Sequence, residues 1–100
     1  PILAVGGVGV ISVVANIMPK ETHSLVANFL EGNAEEAKRL QLYLYELIKA
    51  LFIETNPIPV KTSLGFMGLI EPYLRLPLYR MSDINEEKLK VVLREYKLIK

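Results

Sequence analysis

The sequence predicts an α/β fold seen in part: one strand covered on both faces, followed by helices to the end of the chain. Three observations carry this reading. Residues 10–14 (VISVV) are β-branched at four of five positions and apolar almost without alternation, which is the pattern of a parallel strand flanked by helices. No second stretch downstream reads as a strand. The remainder carries helix start and stop signals at four places. A doubly covered strand needs neighbours, so the simplest account is the C-terminal piece of an α/β protein whose other strands lie upstream.

The strand is preceded by glycines at 6, 7 and 9. Read as a dinucleotide fingerprint, GVGVIS gives GxGxxS, a near miss to GxGxxG. A phosphate loop needs a helix to begin inside the motif, and Val10, Ile11, Val13 and Val14 are poor helix starters. The glycines therefore read as a turn that reverses the chain into the strand.

The helices follow in order. Pro19 suits the first position of a helix running to about Glu31 and ended by Gly32-Asn33. Asn33 caps the next, with Glu36 at the capping-box position. That helix is predicted to reach about Glu54, with Ala37, Leu40, Leu44, Leu47 and Leu51 as one apolar seam. Tyr45, Ile48 and Phe52 make a second stripe, so its later turns are apolar over more than half their circumference and read as buried between layers. In NPIPVK (56–61), Asn56 reads as a cap with Pro57 in the first turn. This helix is expected to end near Met67 or Leu69, its Gly65 and Gly68 packed closely against a neighbour. Residues 70–81, with two prolines, read as an extended connection. A last helix starts near Asp83 with Glu86 at N3, and sets Leu89, Val92, Leu93 and Tyr96 against a charged face.

Composition narrows the function. With 51% hydrophobic residues in 100 and a mean hydropathy of +0.28, the chain has more apolar side chain than one small fold covers, which points to an oligomer or a larger body. Twelve basic against eleven acidic residues, for a net charge of +1, and no basic cluster argue against nucleic acid. No apolar run reaches the roughly 18 residues of a membrane span, and a signal peptide's basic leader is lacking. Zero cysteines exclude disulfides and thiolate chemistry and fit a cytoplasmic protein, and with one histidine they leave no structural metal site in prospect.

Four stretches then carry a resemblance: GGVGVISVVANIMPKE, EGN before a long helix, LFIETNPIPVK, and GLIEPYLRLPL. In this order and spacing they resemble the C-terminal third of the dihydrodipicolinate synthase family, within the pyruvate-dependent class I aldolases that also include N-acetylneuraminate lyases. The resemblance implies an eight-stranded (β/α)8 barrel with a C-terminal helical extension. Residues 1–32 would be the last βα unit, with 10–14 as the eighth strand, and residues 33–100 the extension. It implies condensation of pyruvate with aspartate semialdehyde, toward diaminopimelate and lysine, through a Schiff base on a sixth-strand lysine. That lysine, its assisting tyrosine and the Gly-Thr-Thr-Gly-Glu loop match nothing here and would lie in the upstream part of the same polypeptide. Catalytic residues are therefore expected to be absent from this chain, which alone should be inactive. The position that does carry over is Ile11, whose backbone carbonyl would approach pyruvate. No cofactor or metal is implied, and family members are commonly tetramers, dimers of tight dimers. Sialic acid lyases carry serine where this chain has Val13. A valine leaves a sugar hydroxyl unpaired at a cost of about 1–3 kcal/mol, which favours the synthase branch.

The remaining chemically tempting residues have plainer readings. Lys61, after an apolar IPV, reads as a helix lysine that reaches solvent or a carbonyl rather than as a Schiff-base lysine. His23 lacks an acidic or nucleophilic companion and reads as a surface residue. Tyr43 and Tyr45 read as core or interface, and the Glu31, Glu35, Glu36 cluster as carboxylates favouring a helix start. Arg75 has no role beyond an interface contact. Two alternatives stand beside the synthase: a sugar-acid aldolase of the same superfamily, and a small helical module that pairs through the 33–54 helix.

Overall fold

A computed structural model describes residues 1–100. Four α-helices follow one another: α1 (Pro19–Leu30), α2 (Ala34–Leu51), α3 (Ile58–Phe66) and α4 (Asp83–Glu95), preceded by single 3₁₀ turns at Leu3–Val5 and Val14–Asn16. The chain divides into two compact units, Pro1–Tyr45 and Glu46–Lys100.

The strand expected at residues 10–14 does not form. Residues 8–11 are irregular, and Val14 opens the second 3₁₀ turn instead. A strand is defined by the ladder of hydrogen bonds to its neighbour, and these 100 residues contain no other strand to supply one. β-branching favours the extended conformation but cannot pair it. In the first unit, α1 packs on both 3₁₀ turns. Val14, Ile17 and Met18 are buried here, as are Ala37, Leu40 and Leu44 from the first turns of α2.

Pro19 begins α1 as expected, because its missing N–H falls where no helical acceptor exists. The helix ends in a Schellman motif. Gly32, at φ 90°, donates to Phe29 O at 3.1 Å, and Asn33 donates to Asn28 O at 2.7 Å. This decides how α2 starts. Asn33 Oδ1 accepts from the Glu36 N–H at 3.3 Å, so the cap forms. The reciprocal capping-box bond does not, because the Asn33 N–H is already used by α1. The Glu36 carboxylate turns instead to Arg39, with Nε–Oε2 at 2.9 Å. That hydrogen-bonded guanidinium holds it below the usual carboxylate range.

Along α2 the first seam is buried throughout, from Ala37 through Leu51. The second stripe is not: Tyr45 and Phe52 are more than half exposed, as is Leu42. The chain itself does not cover that face. The helix stops at Leu51, short of the expected Glu54, as Phe52 and Ile53 tighten to bonds three residues back, onto Lys49 O and Ala50 O.

The second unit is built on Leu47, Leu51, Ile58, Pro59, Val60, Met81, Leu89 and Leu93, with α3 packed on α4. Pro57, not Asn56, stands at the start of α3, and Pro59 occupies its first turn, where the absent N–H again costs nothing. Ser63 is fully buried, its hydroxyl donating to Pro59 O at 2.8 Å. The Asn56–Pro57 and Leu76–Pro77 bonds are cis. Of the two glycines expected to pack closely, only Gly65 does: a Cβ there would lie 3.0 Å from the Pro72 ring. Gly68, at φ 76°, serves the Schellman end of α3, donating to Gly65 O at 3.0 Å.

The last helix is capped by Ser82, whose hydroxyl accepts from the Asn85 N–H at 3.3 Å, which moves Glu86 one place beyond N3. It ends in a third Schellman motif, with Lys97 N–H to Arg94 O at 2.9 Å and Leu98 N–H to Leu93 O at 3.0 Å. Here the left-handed residue is Lys97, at φ 59°. A side chain in that conformation costs about 1–2 kcal/mol that glycine avoids. Lys97→Gly is therefore expected to stabilise the second unit by about 1 kcal/mol, read as a higher urea midpoint with an unchanged m-value.

Candidate functional site

The segment that the family resemblance marks begins with a turn that only glycine can close. Gly6, at φ 100°, donates to Leu3 O at 3.1 Å, and Gly7 donates to Ile2 O at 3.0 Å. A Cβ on Gly7 would sit 2.8 Å from that Ile2 oxygen. Both N–H groups are thus committed inside the chain, and no helix begins within residues 7–12, as a phosphate loop of this kind requires.

Beyond the turn the backbone runs open to Ile11, which is fully exposed and forms no hydrogen bond within the chain. Anchorage resumes at once. Ser12 Oγ accepts from the Ala15 N–H at 3.4 Å, Asn16 N–H donates to Val13 O at 3.1 Å, and Val14 is buried. Ile11 therefore presents an unpaired peptide between two fixed turns. Such a carbonyl can accept a hydrogen bond but can neither attack a carbon nor hold a proton at neutral pH. Val13, which the resemblance sets against the serine of the sugar-acid lyases, is half-buried beside it.

The other titratable residues are not brought together. Lys61 Nζ donates to Tyr73 O at 2.8 Å, so it does reach a carbonyl, tying α3 to the connection that follows. His23 is exposed on α1. Tyr43 and Tyr45 lie on the exposed side of α2, which removes the core reading and keeps the interface one. Arg75 is exposed and forms no ion pair within the chain. In the second unit Thr62, Phe66, Arg80, Met81 and Glu86 line a groove of about 300 Å³. Its polar groups are engaged: Thr62 with Ile58 O at 2.8 Å, Arg80 with Asp83 at 2.6 Å, Glu86 with Lys90 at 3.6 Å. Lys90 also stands 4.9 Å from the Phe66 ring centre. No uncommitted acid, base or nucleophile faces the groove.

One element that sequence reasoning missed is Glu54. Its Oε2 accepts from Ser82 N–H at 3.1 Å, Ser82 Oγ at 3.4 Å and Asn85 Nδ2 at 3.0 Å. A carboxylate is thus seated at the positive N-terminus of α4. The partners are 28 and 31 residues downstream, so nothing local announces them.

Comparison with known proteins assigns the chain. The model of the dihydrodipicolinate synthetase family matches residues 1–96. The chain belongs to this family. It is 58% identical over 99 residues to the 4-hydroxy-tetrahydrodipicolinate synthase of Acetivibrio thermocellus, covering 99% of this chain and 34% of that one. The crystal structure of dihydrodipicolinate synthase from Aquifex aeolicus superposes with a TM-score of 0.96 at 50% identity, covering 98% of this chain and 33% of that one. The chloride-inhibited dihydrodipicolinate synthase from Acinetobacter baumannii, complexed with pyruvate, matches at a TM-score of 0.89 and 39% identity, over 94% of this chain and 32% of that one. The chain spans about a third of the length of the family members it matches. Its fold class is accordingly that of the family's α/β barrel enzymes, to which these 100 residues contribute a helical part. The strandless stretch at 10–14 fits a piece whose partner strands are not among them. None of its four helices is long and apolar enough to cross a membrane.

Proposed function

We propose that the chain is the C-terminal third of a cytoplasmic lyase that condenses pyruvate with aspartate semialdehyde through a lysine Schiff base, in the biosynthesis of diaminopimelate and lysine. The observation that carries this is family membership across residues 1–96, at 58% identity to a named synthase. Residues 1–32 supply the last βα unit of the barrel and residues 33–100 the helical extension. In the assembled barrel, residues 10–14 pair as its eighth strand, and the unpaired carbonyl of Ile11 lies at the strand ends where barrel enzymes place their chemistry. There it accepts a hydrogen bond near bound pyruvate. Support for pyruvate comes from the related Acinetobacter baumannii enzyme, crystallised with it.

The nucleophile lies in the upstream part of the same polypeptide. Lys61 is not a candidate, since its ammonium is held on Tyr73 O. The enzyme assembles as a tetramer, a dimer of tight dimers, and the exposed Leu42 and Tyr45 of α2, with Phe52 just past its end, are apolar enough to serve a permanent contact. The test is a coupled assay of the complete polypeptide beside the 100-residue chain. Pyruvate-dependent consumption of aspartate semialdehyde is expected from the former and none from the latter. Turnover by the 100 residues alone would refute the assignment of the nucleophile.

A further inference from the structure

A backbone carbonyl can serve a substrate only if something fixes its direction, and an isoleucine side chain has no polar atom to do so. The planar peptide that carries the Ile11 oxygen runs from the Ile11 Cα to the Ser12 Cα. Its orientation is set by the dihedrals of those two residues. On the upstream side no constraint is near. Val8, Gly9 and Val10 are exposed and carry no backbone bond, and the last anchor before Ile11 is Gly7 on Ile2 O, at 3.0 Å.

Downstream the constraint starts at the next residue. Ser12 is half-buried, and its Oγ accepts from the Ala15 N–H at 3.4 Å. That donor belongs to the start of a helical turn, where backbone N–H groups lack an acceptor of their own. Val13 is already in the right-handed region, at φ −65° and ψ −43°. The turn then closes on itself. Asn16 N–H donates to Val13 O at 3.1 Å, and Ile17 and Met18 N–H donate to Val14 O at 3.1 and 2.9 Å. Val14 is buried, and the turn packs on α1. Ser12 therefore caps a turn that is fixed to the body of the first unit. Its own backbone nitrogen is bonded to the Ile11 carbonyl carbon, so of the two residues that share this peptide it is the one tied by its side chain.

We infer that Ser12 is a positioning residue: by capping the 14–16 turn, its hydroxyl sets the peptide plane that aims the Ile11 carbonyl. This rests on the reading that this carbonyl serves bound pyruvate in a longer enzyme. Released from the cap, the peptide can rotate, and its hydrogen bond near pyruvate weakens while the rest of the site stays whole. The serine oxygen acts here as an acceptor. Threonine can therefore replace it, and a hydrocarbon of the same shape cannot.

The test compares Ser12→Thr with Ser12→Val in the complete polypeptide, two side chains of nearly equal shape that differ in that one oxygen. Steady-state assays give separate KM values for pyruvate and aspartate semialdehyde, and amide exchange follows the Ala15 N–H. Ser12→Val is expected to raise the KM for pyruvate about fivefold, the worth of one hydrogen bond. It should leave kcat and the KM for aspartate semialdehyde as in the parent, and quicken exchange at Ala15. Ser12→Thr should stay near the parent in every readout. A parent-like KM for pyruvate in Ser12→Val would overturn the assignment, as would an equal rise in both variants or unchanged exchange at Ala15. So would a fall in kcat with both KM values unchanged, the mark of a merely structural role. Failure of the lyase reading shows separately, as a parent polypeptide without pyruvate-dependent turnover.

Discussion

Leu89→Ala is expected to cost the second unit about 3 kcal/mol, within the 2–5 kcal/mol typical of leucine truncation in a closed core. Leu89 is fully buried in α4, in a unit whose Leu47, Leu51, Met81 and Leu93 are likewise closed from solvent. A core closed on all these positions has little slack to collapse, so most of the cavity should persist. Urea unfolding followed by helical circular dichroism measures the loss. A change below about 1 kcal/mol would mean that α4 does not seal this core.

Glu54→Ala should cost about 2 kcal/mol, the scale of hydrogen bonds to a charged acceptor. The mechanism differs from that of Leu89. No cavity is made. Instead the Ser82 N–H and the Asn85 side-chain amide lose the carboxylate that joins the end of α2 to the start of α4. Glu54→Gln keeps an acceptor oxygen and loses the charge at the helix N-terminus, and should fall between the alanine variant and the parent. Amide exchange in the first turn of α4 should quicken in the same order. If glutamine costs as much as alanine, the charge and not the hydrogen bonds secures this junction.

Much of the local structure is legible in the residues. The spacing of Ala37, Leu40, Leu44, Leu47 and Leu51 names the buried face of α2, because a period of 3.6 gathers them on one side of the helix. Pro19, Gly32-Asn33 and the Pro72 and Pro77 pair mark boundaries through backbone chemistry that any context respects. What escapes is where one group has two claimants, or where the partner is remote. The capping box at Glu36 fails because the Asn33 N–H is spent on α1. Glu54 is invisible because its partners lie a helix and a connection away. Tyr45 and Phe52 are apolar but exposed, because periodicity says which face wants cover and not which part of a polypeptide supplies it. The same holds for residues 10–14, whose β-branching is real and whose ladder is absent.

The candidate site rests on resemblance rather than on spacing. LFIETNPIPVK and LRLPL point to the family, and the family then points to Ile11. An isoleucine proposed to act through its backbone carbonyl leaves no signature of its own, since any side chain presents the same oxygen. The structure adds that this peptide is unpaired and sits between two anchored turns.

The most direct test of the central claim is an intact-mass spectrum of the complete polypeptide after pyruvate and borohydride, followed by mapping of the adduct. The account predicts one reduced pyruvate adduct, on a lysine outside these 100 residues, while the 100-residue chain near 11.3 kDa stays unmodified. An adduct on Lys61, or none on the complete polypeptide, would contradict it.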